Sequence, residues 1–141
     1  MSDRLSPALQ ENVLAVLCFS EKSAQLIRNS VEPELFSSQL YREIVGRIYE
    51  FLDQHKKPPG EHLPDLLEDI LSRKDKEAEL CLRLVENVLG SKGKTTESYV
   101  LSSLEGFIRR QRLVTALIRA SQLAQEGNYE EAEGELEKSR H

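Results

Sequence analysis

The sequence predicts an all-α protein: a compact helical bundle followed by a C-terminal antiparallel helical hairpin. Three observations predict it. Apolar residues recur at three- and four-residue spacing through almost every segment. The β-branched residues are scattered among helix formers, and no Asn-Gly or Asp-Gly hairpin turn occurs. Ser, Thr, Pro and Gly signals that start and stop helices punctuate the 141 residues.

Ser6-Pro7 is a cap followed by proline in the first helical turn. Leu9, Val13, Leu14, Val16 and Leu17 then keep helical spacing. Ser20 can cap a second helix, with Glu21 in its first turn and Leu26 and Ile27 as apolar positions. Glu32-Pro33 ends it, because a residue before proline avoids the α region. Ser37 and Ser38 precede an amphipathic helix whose stripe is Leu40, Ile44, Val45, Ile48, Phe51 and Leu52. Lys56 to Gly60 closes it as a loop. One short helix is predicted from about His62, carrying Leu63, Leu66, Leu67, Ile70 and Leu71. After a charged break at Ser72 to Asp75, Lys76 to Leu89 reads as helix, with Leu80, Leu84 and Val88 on one face and Cys81 and Val85 widening it.

Gly90 to Lys94 is the clearest loop, a linker between helices. Thr95 or Thr96 then caps the longest helix, with Glu97 placed to complement the helix dipole. Its apolar positions are Val100, Leu104, Phe107, Ile108, Val114, Leu117 and Ile118, continuing to Leu123 and Ala124. Gly127-Asn128 ends it, and a last helix runs from about Tyr129 to Lys138. This divides the chain into a bundle over 1–90 and a hairpin over 91–141.

Composition bounds the function. Hydrophobic residues are 39% and charged residues 30% of the chain, which argues against disorder along the whole length. A chain of this length can bury about two-thirds of its unfolded surface, enough for a core without disulfides. Cys18 and Cys81 therefore read as buried reduced thiols of a cytosolic protein. The net charge of −5 argues against binding nucleic acid over the whole surface. No apolar run reaches the ~20 residues that span a bilayer. Met1 to Arg4 lack the basic head of a signal peptide. The reading is cytoplasmic, with no membrane partner.

No motif supports catalysis, a cofactor or a metal. Gly93-Lys94-Thr95 matches the end of a phosphate-binding loop, but Val88 stands at the first glycine position and no strand precedes it. His55 and His62 with Asp53, Glu61 and Asp65 match no metal-ligand spacing. His141 is terminal. Neither cysteine has a nearby histidine in sequence, and no nucleophile elbow occurs. Glu68 and Asp69 are helical neighbours that point apart, as surface charges do.

The hairpin carries the functional signal. Arg109, Arg110, Arg112 and Arg119 lie on its first helix, and Glu126, Glu130, Glu131, Glu133, Glu135 and Glu137 lie in the region of its second. An antiparallel arrangement sets these blocks near each other, either as balanced solvated faces or as a device fixing register and partner choice. Two helices cannot bury stripes on more than one side by packing on each other; Leu101 and Leu113 lie away from the main stripe, and Phe107 with Ile108 broadens it, so a second surface is expected to meet another copy or another domain. The residues expected to bind a partner are Val100, Leu104, Phe107, Ile108, Arg109, Arg110, Arg112, Val114 and Leu117. Gly127 to Ala132 also resembles part of a tetratricopeptide repeat, but no second copy occurs at a period near 34 residues.

The order of elements resembles the N-terminal domain of DnaB-type replicative helicases. The residues carrying the resemblance are Pro7, Glu11 and Val13-Leu14; Leu35-Phe36 before Tyr41-Arg42-Glu43-Ile44; Ile48 to Leu52; Lys57-Pro58-Pro59 leading to Leu63; and Tyr99-Val100 opening the helix that holds Arg109 to Leu113. Together they span about Leu5 to Ser139. Tyr41-Arg42 stands where the family often has His-Arg, and Glu34 where it has Asp. The resemblance implies a helical bundle with a hairpin that pairs between subunits, as a trimer of dimers within a hexamer, and a collar that recruits primase. ATP hydrolysis and DNA contact would belong to a motor domain joined through a linker near His141, outside these residues. The alternative is a stand-alone helical adaptor unrelated to replication.

Overall fold

The computed structural model describes residues 5–139; the readings made on Met1 to Arg4 and on His141 lie outside the described residues. The described chain is all-α. The order is α1 (Pro7–Phe19), α2 (Glu21–Ser30), α3 (Gln39–His55), α4 (Leu63–Leu66), α5 (Glu68–Leu71), α6 (Lys76–Gly90), α7 (Glu97–Gln125) and α8 (Tyr129–Lys138). Short 3-10 turns at Pro33–Leu35 and Gly60–His62 lead into α3 and α4.

Local chemistry explains the boundaries. The hydroxyls of Ser6, Ser20 and Ser38 accept hydrogen bonds from Leu9, Ser23 and Tyr41 N–H, and the Asp75 carboxylate accepts from Ala78 N–H. Each satisfies a first-turn donor that has no partner inside the helix. The single short helix predicted near His62 is instead two, because the chain tightens at Leu67, whose N–H reaches the Pro64 carbonyl. α3 ends on Lys56, a non-glycine residue in the left-handed region with φ 60°. A Cβ costs roughly 1 kcal/mol in that conformation. Lys56→Gly is therefore expected to stabilise the protein by about 0.5–1 kcal/mol, read as a raised urea midpoint at unchanged slope.

Two compact units divide at Ser103 and Leu104, inside α7 rather than in the loop after α6. The reason is the start of α7. Glu97 accepts hydrogen bonds from the hydroxyls of Ser20 (2.5 Å) and Ser23 at the corner between α1 and α2, and Val100 is buried. The opening turns of α7 thus belong to the first unit. These hydroxyls hold the Glu97 carboxyl below its ordinary pKa. A depressed carboxyl stabilises the fold above the unfolded pKa and loses that contribution as pH falls through the folded one. Acidification below about pH 4.3 is expected to lower the protection factors of the Tyr99 to Leu101 amides, measured against their intrinsic exchange rates at each pH, with no such loss in Glu97→Gln.

The core of the first unit gathers Val13, Leu14 and Leu17 of α1, Ala24 and Ile27 of α2, and Ile44, Val45, Ile48 and Leu52 of α3, with Phe36, Leu63, Leu67 and Ile70 between. On α6 the buried face is Ala78, Cys81, Leu84, Val85 and Val88. Leu80 is 52% exposed, so the stripe lies to one side of the predicted one. Cys18 and Cys81 are free and buried, and burial pushes the Cys18 thiol up to about 12, which leaves it protonated and inert. Arg47 ties α3 to α4 and α5. It donates to the Leu66 carbonyl at 2.9 Å, to Glu43 at 2.9 Å and to both oxygens of Asp69, whose pKa it holds down at about 2.

In the second unit α7 and α8 form the predicted antiparallel hairpin. Gly127 closes α7 in the left-handed conformation with φ 85°. Asn128 N–H bonds to the Leu123 carbonyl and Gly127 N–H to the Ala124 carbonyl, the paired C-terminal closure that glycine permits.

Candidate interaction surface

Register in the hairpin follows from one ion pair. Arg119 on α7 meets Glu135 on α8 at 3.8 Å. Three residues further along α8 is Lys138, its last residue, which comes level with Ala116 three residues back along α7. Arg109, Arg110 and Arg112 therefore lie beyond the end of α8. The expected meeting of the whole basic block with the whole acidic block does not occur within this hairpin: Arg119 reaches α8, while Arg109 pairs with Glu105 one turn back on its own helix at 3.0 Å. The physical reason is length, since a ten-residue helix extends only about 15 Å.

Among the described residues, those buried in the hairpin beyond Phe107 are all alanines: Ala116, Ala120 and Ala132. Small side chains let two helices approach closely but bury little area, so the hairpin gains little from its own interior. Its large apolar residues lie elsewhere. Leu113, Leu117 and Ile118 are 50%, 52% and 54% exposed, and Tyr129 and Leu136 are exposed on α8. Fully burying a side chain of leucine size gives about 1.5–3 kcal/mol, so roughly half of that is left ungained at each of these three positions.

Helical geometry shows how this arises. At about 100° per residue, Val100, Leu104 and Phe107 share one side of α7, whereas Ala116 and Ala120 lie on the opposite side. The buried face of α7 changes sides along its length. Past that change, Leu113, Val114, Leu117 and Ile118 form an i, i+1, i+4, i+5 patch that α8 does not cover, with Arg110 on the same strip. Arg109 and Arg112 lie on the alanine side, on the stretch of α7 that α8 is too short to reach.

The residues expected to bind a partner thus separate into groups. Val100, Leu104 and Phe107 are buried in the protein's own fold. Ile108 and Val114 are half-buried, and Leu117 and the arginines Arg109, Arg110 and Arg112 are exposed. Leu113, which the sequence sets away from the main stripe, is exposed, and the structure adds Ile118, which the sequence assigns to that stripe. Their spacing with Val114 and Leu117 was visible, but a continuous apolar stripe gives no sign of where its covering stops. Among the described residues no group of three or more His, Cys, Asp or Glu side chains is arranged to hold a metal, and no helix is long and apolar enough to cross a membrane. In the Gly90–Lys94 loop, Lys92 pairs with Glu61 at 3.2 Å and sits over the Phe19 ring.

No protein-family model, curated protein or solved structure matches this chain.

Proposed function

We propose that this chain is an oligomerisation domain whose hairpin pairs with the hairpin of a second copy, and that it serves as the N-terminal collar of a hexameric replicative helicase that recruits primase. The observation that carries the pairing is the open patch of Leu113, Val114, Leu117 and Ile118 on a hairpin whose own interior holds alanines. Charge supports it. An antiparallel partner seated on that patch would bring its acidic α8 toward Arg110, which lies on the same strip of α7 and is exposed. Flanking charges of this kind choose register and orientation more than they add affinity. The helicase assignment rests on the sequence resemblance; an all-α fold with a terminal hairpin is compatible with it. The chain would then take part in no chemistry itself, and ATP and DNA would be handled by a motor domain outside these residues.

Two measurements test the two halves of this reading. Sedimentation of the full chain across a wide concentration range should show reversible self-association; a monomer throughout overturns the pairing. The native reading frame past His141 tests the helicase assignment: a phosphate-binding loop within a following domain supports it, and a stop codon favours a free-standing adaptor that uses the same patch on a different protein.

A further inference from the structure

A separate surface on the first unit has no role in that reading. The end of α6, the loop after it and the start of α7 meet α1 in an open groove of about 620 Å³. Glu11 and Asn12 enter it from α1, Glu86 and Asn87 from α6, and Tyr99 from the opening of α7. Among the described residues, none of these five side chains makes a hydrogen bond or ion pair, and Tyr99 is 68% exposed. Their hydrogen-bonding capacity is therefore free for a ligand, whereas the cations Arg28, Arg47 and Lys92 of the same unit are already paired with Asp53, Asp69 and Glu61. Two adjacent helices here present the same couple, a carboxylate beside a carboxamide, into one concavity with an aromatic ring at its side. Lys94 is the only cationic lining residue, so carboxylates outnumber cations.

We infer that this groove docks a basic peptide segment of another protein, with an arginine or lysine received by Glu11, Glu86 and the Tyr99 ring. The division of labour follows from the groups. Carboxylates attract and bind the cation, and a guanidinium stacks on an exposed phenol ring at little conformational cost. The Asn12 and Asn87 amides each offer a donor and an acceptor, which suits a peptide backbone that carries both. A nucleic acid is disfavoured, because its phosphates would face the two carboxylates. The inference is independent of hairpin pairing, since all the lining residues named belong to the first unit.

The test uses the full chain and a fluorescein-labelled nonapeptide carrying two arginines among serines and leucines, beside the same peptide with glutamines for arginines. The arginine peptide is expected to bind and to shift the amide resonances of Glu11, Asn12, Glu86, Asn87 and Tyr99. Glu11→Gln and Glu86→Gln should each weaken it about two- to fivefold, as expected for exposed charge pairs, and Tyr99→Ala by a similar factor. These side chains lie at the surface, and unchanged circular dichroism would verify that the variants fold. Equal binding of the glutamine peptide, shifts mapping elsewhere, or no response to the carboxamide variants would each overturn the proposal. Shifts of the same five resonances on raising the chain concentration without peptide would also overturn it, since the groove would then serve a second copy instead.

Discussion

If hairpins pair as proposed, Leu117→Asp combined with Ile118→Asp is expected to leave the chain monomeric while its helical content stays unchanged. Both side chains are about half exposed in one molecule, so the folded monomer loses little when they become polar. In a paired hairpin both would be covered. The lost apolar burial is worth about 1 kcal/mol per residue, and two carboxylates placed in an apolar seam without partners add several kcal/mol more. Together these raise the dissociation constant by at least about a hundredfold. Sedimentation velocity and circular dichroism on parent and variant read the two quantities separately. A variant that sediments like the parent would show that the patch is not the seam. Phe107→Asp gives the contrast: Phe107 is buried in the fold, so a carboxylate there is expected to lower stability as well as any association.

The second large effect is expected at Gln10, a fully buried polar residue. Its amide nitrogen donates to the Leu5 carbonyl at 2.6 Å and to the Ser37 hydroxyl at 2.9 Å, and its oxygen accepts from Ser37 N–H at 3.1 Å. One side chain thereby joins the segment before α1, α1 itself and the approach to α3. Gln10→Leu keeps the volume nearly constant but leaves the Leu5 carbonyl without this partner in a buried setting. An orphaned buried group costs about 1–3 kcal/mol, and with the loss of the Ser37 bonds the total is expected near 2–4 kcal/mol. Urea unfolding followed by circular dichroism measures it. A change under about 0.5 kcal/mol, the range of ordinary surface substitutions, would mean that water replaces these bonds at no cost.

Gln10 also shows what a sequence can announce without naming. It stands three, four and seven residues before Val13, Leu14 and Leu17, squarely on the apolar face of α1, and a polar residue on such a face needs partners. Which partners is a matter of tertiary placement, since Ser37 lies 27 residues away. The same holds at Glu97. Its position in the first turn of α7 is a sequence-level signal of dipole complementarity, whereas the Ser20 and Ser23 hydroxyls that grip it come from the other end of the first unit's chain. That contact moves the boundary between the two units into α7.

The amino-acid order by itself determined the elements: an all-α chain, serine and aspartate caps, and a glycine-closed turn before the last helix. These depend on periodicity and on hydrogen bonds between residues a few positions apart, so they are written locally. Only the tertiary structure decided which apolar residues are covered. It buried Leu104 and Phe107, left Leu113, Leu117 and Ile118 open, turned Leu80 outward on α6 and placed Arg109, Arg110 and Arg112, but not Arg119, past the end of α8. Periodicity reports that a helix has an apolar side. Whether anything lies against that side depends on the length and position of a neighbour that the helix's own sequence does not encode.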